Sequence, residues 1–253
     1  MSPLTWGLLA ATAVVTSTIS GILGMAGGIT LLGVMTALLP APQVVPLHGV
    51  VQLSSNFTRS LAFVRHIEWR IFGVFAPALL VGVALAAEVY QGTRLAWFRP
   101  AIGAFLLAFL VWRRFSPKLR NPPRWLYAVV GLVTGFLSLF VGATGPFLAP
   151  FFLRDDFDKE QVIATKAVCQ TLTHLLKVPT FLFLGFDYLA HAPLLATMIA
   201  AVIVGTLLGK ALLARIPKRV FTILFEGVVV ALALYLIASG LAPYVASLSR
   251  TVT

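Results

Sequence analysis

No Asp, Glu, Lys or Arg occurs in this chain before Arg59. Fifty-eight residues without a charge cannot make the surface of a soluble domain, and apolar sequence runs without relief from Leu4 to Leu39. The rest of the 253 residues has the same character: 59% are apolar, 11% are charged and the mean hydropathy is +0.97. These values fit no soluble globule. Several runs reach the roughly 20 residues needed to cross a hydrocarbon core about 30 Å thick. They are continuous and do not alternate, which excludes a β-barrel. The expectation is an all-α, polytopic membrane protein.

The N-terminus lacks the basic stretch of a secretory signal, and its apolar run outlasts a signal core, so it is expected to belong to the mature fold. The single cysteine, Cys169, permits no internal disulfide and no cysteine-cluster metal site. A net charge of +11 invites a nucleic-acid partner, but the basic residues lie mostly between apolar segments, where they mark cytoplasmic loops. No nucleic acid, metal or cofactor is expected.

Apolar runs between charge clusters give eight segments: 4–39, 44–64, 71–90, 95–112, 125–153, 160–184, 192–214 and 219–240. The first and fifth exceed one span and are interrupted by GILGMAGG (21–28) and VGATGP (141–146). Such a segment is a broken helix or a re-entrant hairpin, sustainable at depth only where its freed backbone groups face protein or a wet cavity. The loop RRFSPKLRNPPR, 113–124, carries five basic residues and no acid, which places it in the cytoplasm. It separates a first repeat, 1–112, from a second, 125–253. If segments one and five re-enter, the Arg65–Arg70 and Arg215–Arg219 clusters both fall on the cytoplasmic side, with six full crossings and inverted halves. Eight full crossings are the alternative.

An offset of 118 residues sets Gly142 on Gly24 and Gly145 on Gly27. The same offset pairs His48 with Lys166, Gln52 with Gln170, Ser55 with Thr173, Asn56 with His174 and Arg59 with Lys177. Steps of 4, 3, 1 and 3 at about 100° per residue hold five side chains within an arc of roughly 100°, along about 16 Å of helix. Each half therefore offers one polar stripe. An Arg or Lys near the midplane costs roughly 2.5 to 3.5 kcal/mol on insertion scales, so the stripes should face protein or water and not lipid. Hydrogen-bonding glue between helices is the rival reading for the neutral residues, and snorkelling to an interface is the rival for Arg59 and Lys177.

The stripes contain cations and histidines but no carboxylate, which suits an anion. A half-helix starting after a glycine break would aim unpaired N–H groups at the same place. The expected binding set is Gly24, Gly27, Gly28, His48, Gln52, Ser55, Asn56, Arg59, Gly142, Thr144, Gly145, Lys166, Gln170, Thr173, His174 and Lys177. Glu226 is a candidate proton relay, with an ion pair to Lys210 as the rival reading; His48 and His174 are candidates through their titration near neutral pH. Cys169 reads as a small core thiol. The five tryptophans fall near segment ends, as interfacial anchors do.

The run GILGMAGGITLLGVM, the polar second segment, the IEWR exit, the VG-rich third segment and their repetition after a basic loop resemble the sulfite exporter TauE/SafE family. The likeness covers nearly the whole chain. It implies a bacterial or archaeal plasma-membrane carrier for sulfite, a sulfonate such as sulfoacetate, or thiosulfate, with the glycine breaks at Gly24, Gly27, Gly28, Gly142 and Gly145. Thr144 and Pro146 depart from the family's run of glycines. The partners expected are a small sulfur-containing anion and the bilayer, with a homodimer admitted. No ATP-binding loop is visible, so a secondary transporter leads, and an anion channel is its nearest rival. No HExxH or nucleophile elbow supports a membrane enzyme.

Overall fold

A computed structural model of the chain describes residues 1–23, 27–90, 122–152, 154 and 156–212, with isolated helical positions at 100, 101, 104, 107, 108, 111, 115, 230, 231, 233, 234, 237, 238 and 241. Gly24, Glu226, most of segments 95–112 and 219–240 and most of the basic linker lie outside the described residues, as does the side chain of Lys210. The described chain is helical, with no strand element.

Apolar segment 4–39 is divided into α1 (Pro3–Leu23) and α2 (Gly27–Leu38). Then come α3 (Ala41–Ala62), a 3-10 turn (Val64–His66) and α4 (Trp69–Tyr90). The same order returns after the linker: α5 (Trp125–Val141), α6 (Gly145–Phe152), α7 (Lys159–Phe183), a 3-10 turn (Leu189–His191) and α8 (Ala192–Leu212). Among the described residues three helices are long and apolar enough to cross a membrane, Pro3–Gly21, Trp69–Tyr90 and Leu189–Gly209. With the family assignment below, this makes the chain an integral membrane protein. Helices α3 and α7 are long enough as well, at 22 and 25 residues, but carry the polar stripes.

The two short helices fold back on their predecessors. At 12 and 8 residues they rise about 18 and 12 Å, well short of a membrane's thickness. Gly27 lies so close to the Thr16 carbonyl of α1 that any Cβ there would overlap it. The Tyr127 hydroxyl, near the start of α5, donates to the Phe151 carbonyl near the end of α6 at 3.0 Å. Between α5 and α6 the chain turns at Gly142, whose φ of 79° is a left-handed conformation that glycine adopts without steric cost.

Polar contacts define two ends of the molecule. At one, Arg154 donates to the Tyr127 hydroxyl at 3.0 Å. There too the Glu68 N–H donates to Thr165 Oγ1 (3.0 Å), and Gln161 Nε2 donates to Glu68 Oε1 (3.3 Å). The start of α5, the loop before α7 and the turn after α3 therefore lie together. Arg65, Arg70, Arg124 and Arg154 gather here; we call it the basic end. Trp69 and Trp125, both exposed, begin α4 and α5 at this end. Donation to the neighbouring Asp156 carboxylate holds the Arg154 guanidinium in its charged form, with a pKa raised above the ordinary arginine value. Asp158 caps α7 by accepting from the Gln161 N–H at 2.6 Å, and Gln161 Oε1 accepts the Asp158 N–H in return. At the opposite end Trp6 Nε1 donates to Thr197 Oγ1 at 3.3 Å, joining the starts of α1 and α8. Tyr90 packs edge-on against Phe181 with centroids 5.4 Å apart, joining the ends of α4 and α7.

Two helix pairs pack through glycine. Gly205 and Gly209 of α8 lie against the carbonyls of Val14 and Thr18 of α1, and a Cβ at either would overlap the backbone. Gly82 of α4 meets the Leu132 carbonyl of α5, while Gly131 and Gly135 of α5 meet Phe75 and Leu79 of α4. Rising numbers match rising numbers in both pairs, so α1 runs parallel to α8, and α4 runs parallel to α5. Small residues admit the close backbone approach on which helix association in lipid depends. Between these pairs lie α3 and α7, packed along one another.

Candidate functional site

The spacing that puts five polar residues on one face of α3 does the same on α7, and the two faces meet. All ten stripe residues are buried: His48, Gln52, Ser55, Asn56 and Arg59 of α3, and Lys166, Gln170, Thr173, His174 and Lys177 of α7. The apolar backs of the same helices are exposed, at Phe57 and Leu61 on α3 and Leu175 and Leu182 on α7. Snorkelling is thereby removed for Arg59 and Lys177: at 3% and 0% exposure their side chains stay inside the protein.

The helices are antiparallel. The imidazoles of His48 and His174 stand edge to face with centroids 6.0 Å apart, and a Cβ at Gly49 would touch Lys177 at 3.5 Å. Toward the basic end, Lys166 lies within electrostatic reach of Arg59.

A hydrogen-bonded chain organises the α3 face. Arg59 Nη1 donates to Asn56 Oδ1 at 3.0 Å and Nη2 to Ser55 Oγ at 3.2 Å. Asn56 Nδ2 donates to the Gln52 carbonyl at 2.9 Å. Ser55 Oγ lies 3.3 Å from Thr206 Oγ1 of α8. Among the described residues three site groups have no partner at a buried polar atom: Arg59 Nε, His48 Nδ1 and His174 Nδ1. Thr144 Oγ1, in the turn before α6, is a fourth. Buried polar atoms are normally satisfied, so these four orphans in one site call for an explanation. Among the described residues no Asp or Glu is buried, so the Arg59 charge is not offset by a buried carboxylate.

Both short helices start against the stripes. A Cβ at Gly28 would lie 3.0 Å from Gln52 Oε1, and one at Gly145 would lie 2.8 Å from Gln170 Nε2. The sequence offset matches Gly145 with Gly27. In the structure Gly28 holds the equivalent place at the glutamine, while Gly27 is spent on packing against Thr16 and Ser20. The Gly142 carbonyl accepts from Lys177 Nζ, and the Gly28 carbonyl lies 2.8 Å from His48 Nε2. Cys169 sits apart from the stripe, in an apolar cluster with Ile71, Phe75 and Leu148.

Hydroxyls on α1 and α5 escape the sequence reading. Thr16 and Ser20 on α1, and Thr134 and Ser138 on α5, are all buried. Their signal is present, since the offset of 118 carries Thr16 onto Thr134 and Ser20 onto Ser138.

The family model for sulfite exporter TauE/SafE matches residues 9–236. The chain belongs to this family. No curated protein and no solved structure matches it. Membership in TauE/SafE makes the chain a membrane transporter of the sulfite-exporter class, and the match runs through both polar stripes and both glycine breaks.

Proposed function

We propose that this TauE/SafE member is a secondary transporter that moves a small sulfur-containing oxyanion, sulfite or an organosulfonate such as sulfoacetate, across the bacterial inner membrane by alternating access. The carrying observation is the buried Arg59 guanidinium, which has an unpartnered Nε and no buried carboxylate among the described residues. A buried charge is expensive unless it is paired, and an anionic substrate is the missing partner. The helix starts at Gly28 and Gly145 add oriented N–H groups, and Gln52, Asn56 and Gln170 add neutral hydrogen-bonding groups between the cations. His48, Ser55, Lys166, Thr173, His174, Lys177, Gly27, Gly142 and Thr144 complete the lining, with Gly24 proposed from the sequence alone.

Residues 1–90 and 125–212 read as inverted repeats, a reading supported by their shared element order. Opposed directions of equivalent helices support it too: α3 against α7, and α1, parallel to α8, against α5. The basic end then faces the cytoplasm. Purified protein reconstituted in vesicles tests the assignment. Labelled sulfite should enter with saturation and show counterflow, and Arg59→Gln should abolish entry while the protein still folds. Flux that never saturates would make it a channel; no sulfite or sulfoacetate flux would remove the assignment.

A further inference from the structure

The two ends of the buried stripe differ in chemistry. Toward the basic end the charge is fixed, because a guanidinium does not deprotonate in proteins. Toward the other end stand two imidazoles supplied by different halves of the chain, His48 from α3 and His174 from α7, both at most 1% exposed. The Gly28 carbonyl near His48 Nε2 can only accept, so Nε2 carries the hydrogen and Nδ1 of the neutral ring is a bare lone pair. Neither Nδ1 meets a hydrogen-bond partner. The groups that face the pair are Lys177 of α7, the two rings themselves, and the Gly28 and Gly142 carbonyls. Among the described residues no carboxylate faces the pair.

An anion entering beside these rings brings acceptor oxygens to His48 Nδ1, a nitrogen that has nothing to donate. That Nδ1 can use such an acceptor only after taking up a proton, and the negative charge favours that uptake. We propose that the His48–His174 pair is a proton-binding site that fills together with the anion, so that one proton is taken up with each anion bound and travels with it. The proton comes from water onto an Nδ1 lone pair and returns to water when the anion leaves. This rests on the reading of the stripes as an anion pathway.

Calorimetric titration of the purified chain with sulfoacetate, in buffers of different ionisation enthalpy, counts the protons. Sulfoacetate is fully ionised across neutral pH, so any proton taken up lands on the protein. The expected result is about one proton per anion, with affinity falling about tenfold for each unit rise in pH. His48→Gln keeps a donor for the Gly28 carbonyl but cannot be protonated; paired with His174→Gln it should bind more weakly, with no proton uptake and a flat pH profile. Sulfoacetate binding to the wild type without proton uptake overturns the proposal, as does undiminished uptake in the double variant. A wild-type count of zero overturns the proposal by itself, so a misfolded variant cannot rescue it. If neither sulfoacetate nor sulfite, titrated under nitrogen, binds at any pH, the anion pathway falls first and takes the proton site with it.

Discussion

At Arg59 two N–H groups are committed to Asn56 and Ser55, and Nε is left over. The side chain is held in place by α3 itself yet not satisfied by it, and the proposed anion would supply the missing acceptor. Arg59→Lys would keep a charge but lose the planar fork, and a charge-assisted hydrogen bond is worth about 1.5 to 3 kcal/mol. We expect sulfite affinity to fall roughly 10- to 100-fold, read by titration calorimetry. Gly145→Ala tests the neighbouring wall. Its Cβ would meet only the tip of Gln170, so the amide should swing aside, lowering affinity severalfold while the melting temperature holds. The stripe residues were legible in the sequence because charge and amide groups stand out on an apolar helix. Thr16, Ser20, Thr134 and Ser138 were not. A lone hydroxyl in such a helix usually bonds the carbonyl four residues back, as Thr16 does to Thr12.

The helices owe their pairing to absent side chains. Gly82 and Gly205 touch carbonyls of α5 and α1, whereas Gly7 and Gly73 have nothing within 4 Å of a Cβ. Alanine at either of the first two should destabilise by about 1 to 3 kcal/mol or more, because neither backbone can retreat. At Gly7 or Gly73 alanine should be neutral or stabilising by up to about 1 kcal/mol through helix propensity. Thermal melting of the four variants in one detergent checks the contrast, and equal shifts would refute it. Asp158→Ala should cost about 1 kcal/mol by uncapping α7. The breaks in segments one and five were readable from glycine density. Their exact register was not, since GG at 27–28 offers two candidates and only packing on α1 assigns one to structure and the other to the site.

Over the whole molecule, charge is unevenly shared between the two ends. With the basic end in the cytoplasm, Arg65→Cys should react with an impermeant maleimide only in inverted vesicles, and Asp187→Cys only in right-side-out cells. The native Cys169, fully buried, gives a silent background. Labelling of both positions from one side would refute the inverted arrangement. Sequence alone could show that the chain has two similar parts, because a polar pattern survives in each. It could not show which helix embraces which, because rows of glycine look alike whichever neighbour they admit. That partner choice has a mechanical consequence. Among the described helices the tightest seams join α1 to α8 and α4 to α5, each uniting a helix from before the basic linker with one from after it. In the proposed alternating-access cycle, any bodies that rock would therefore be braided from both parts of the chain. In that cycle the surface that would slide is the one between α3 and α7, where the proposed anion site lies.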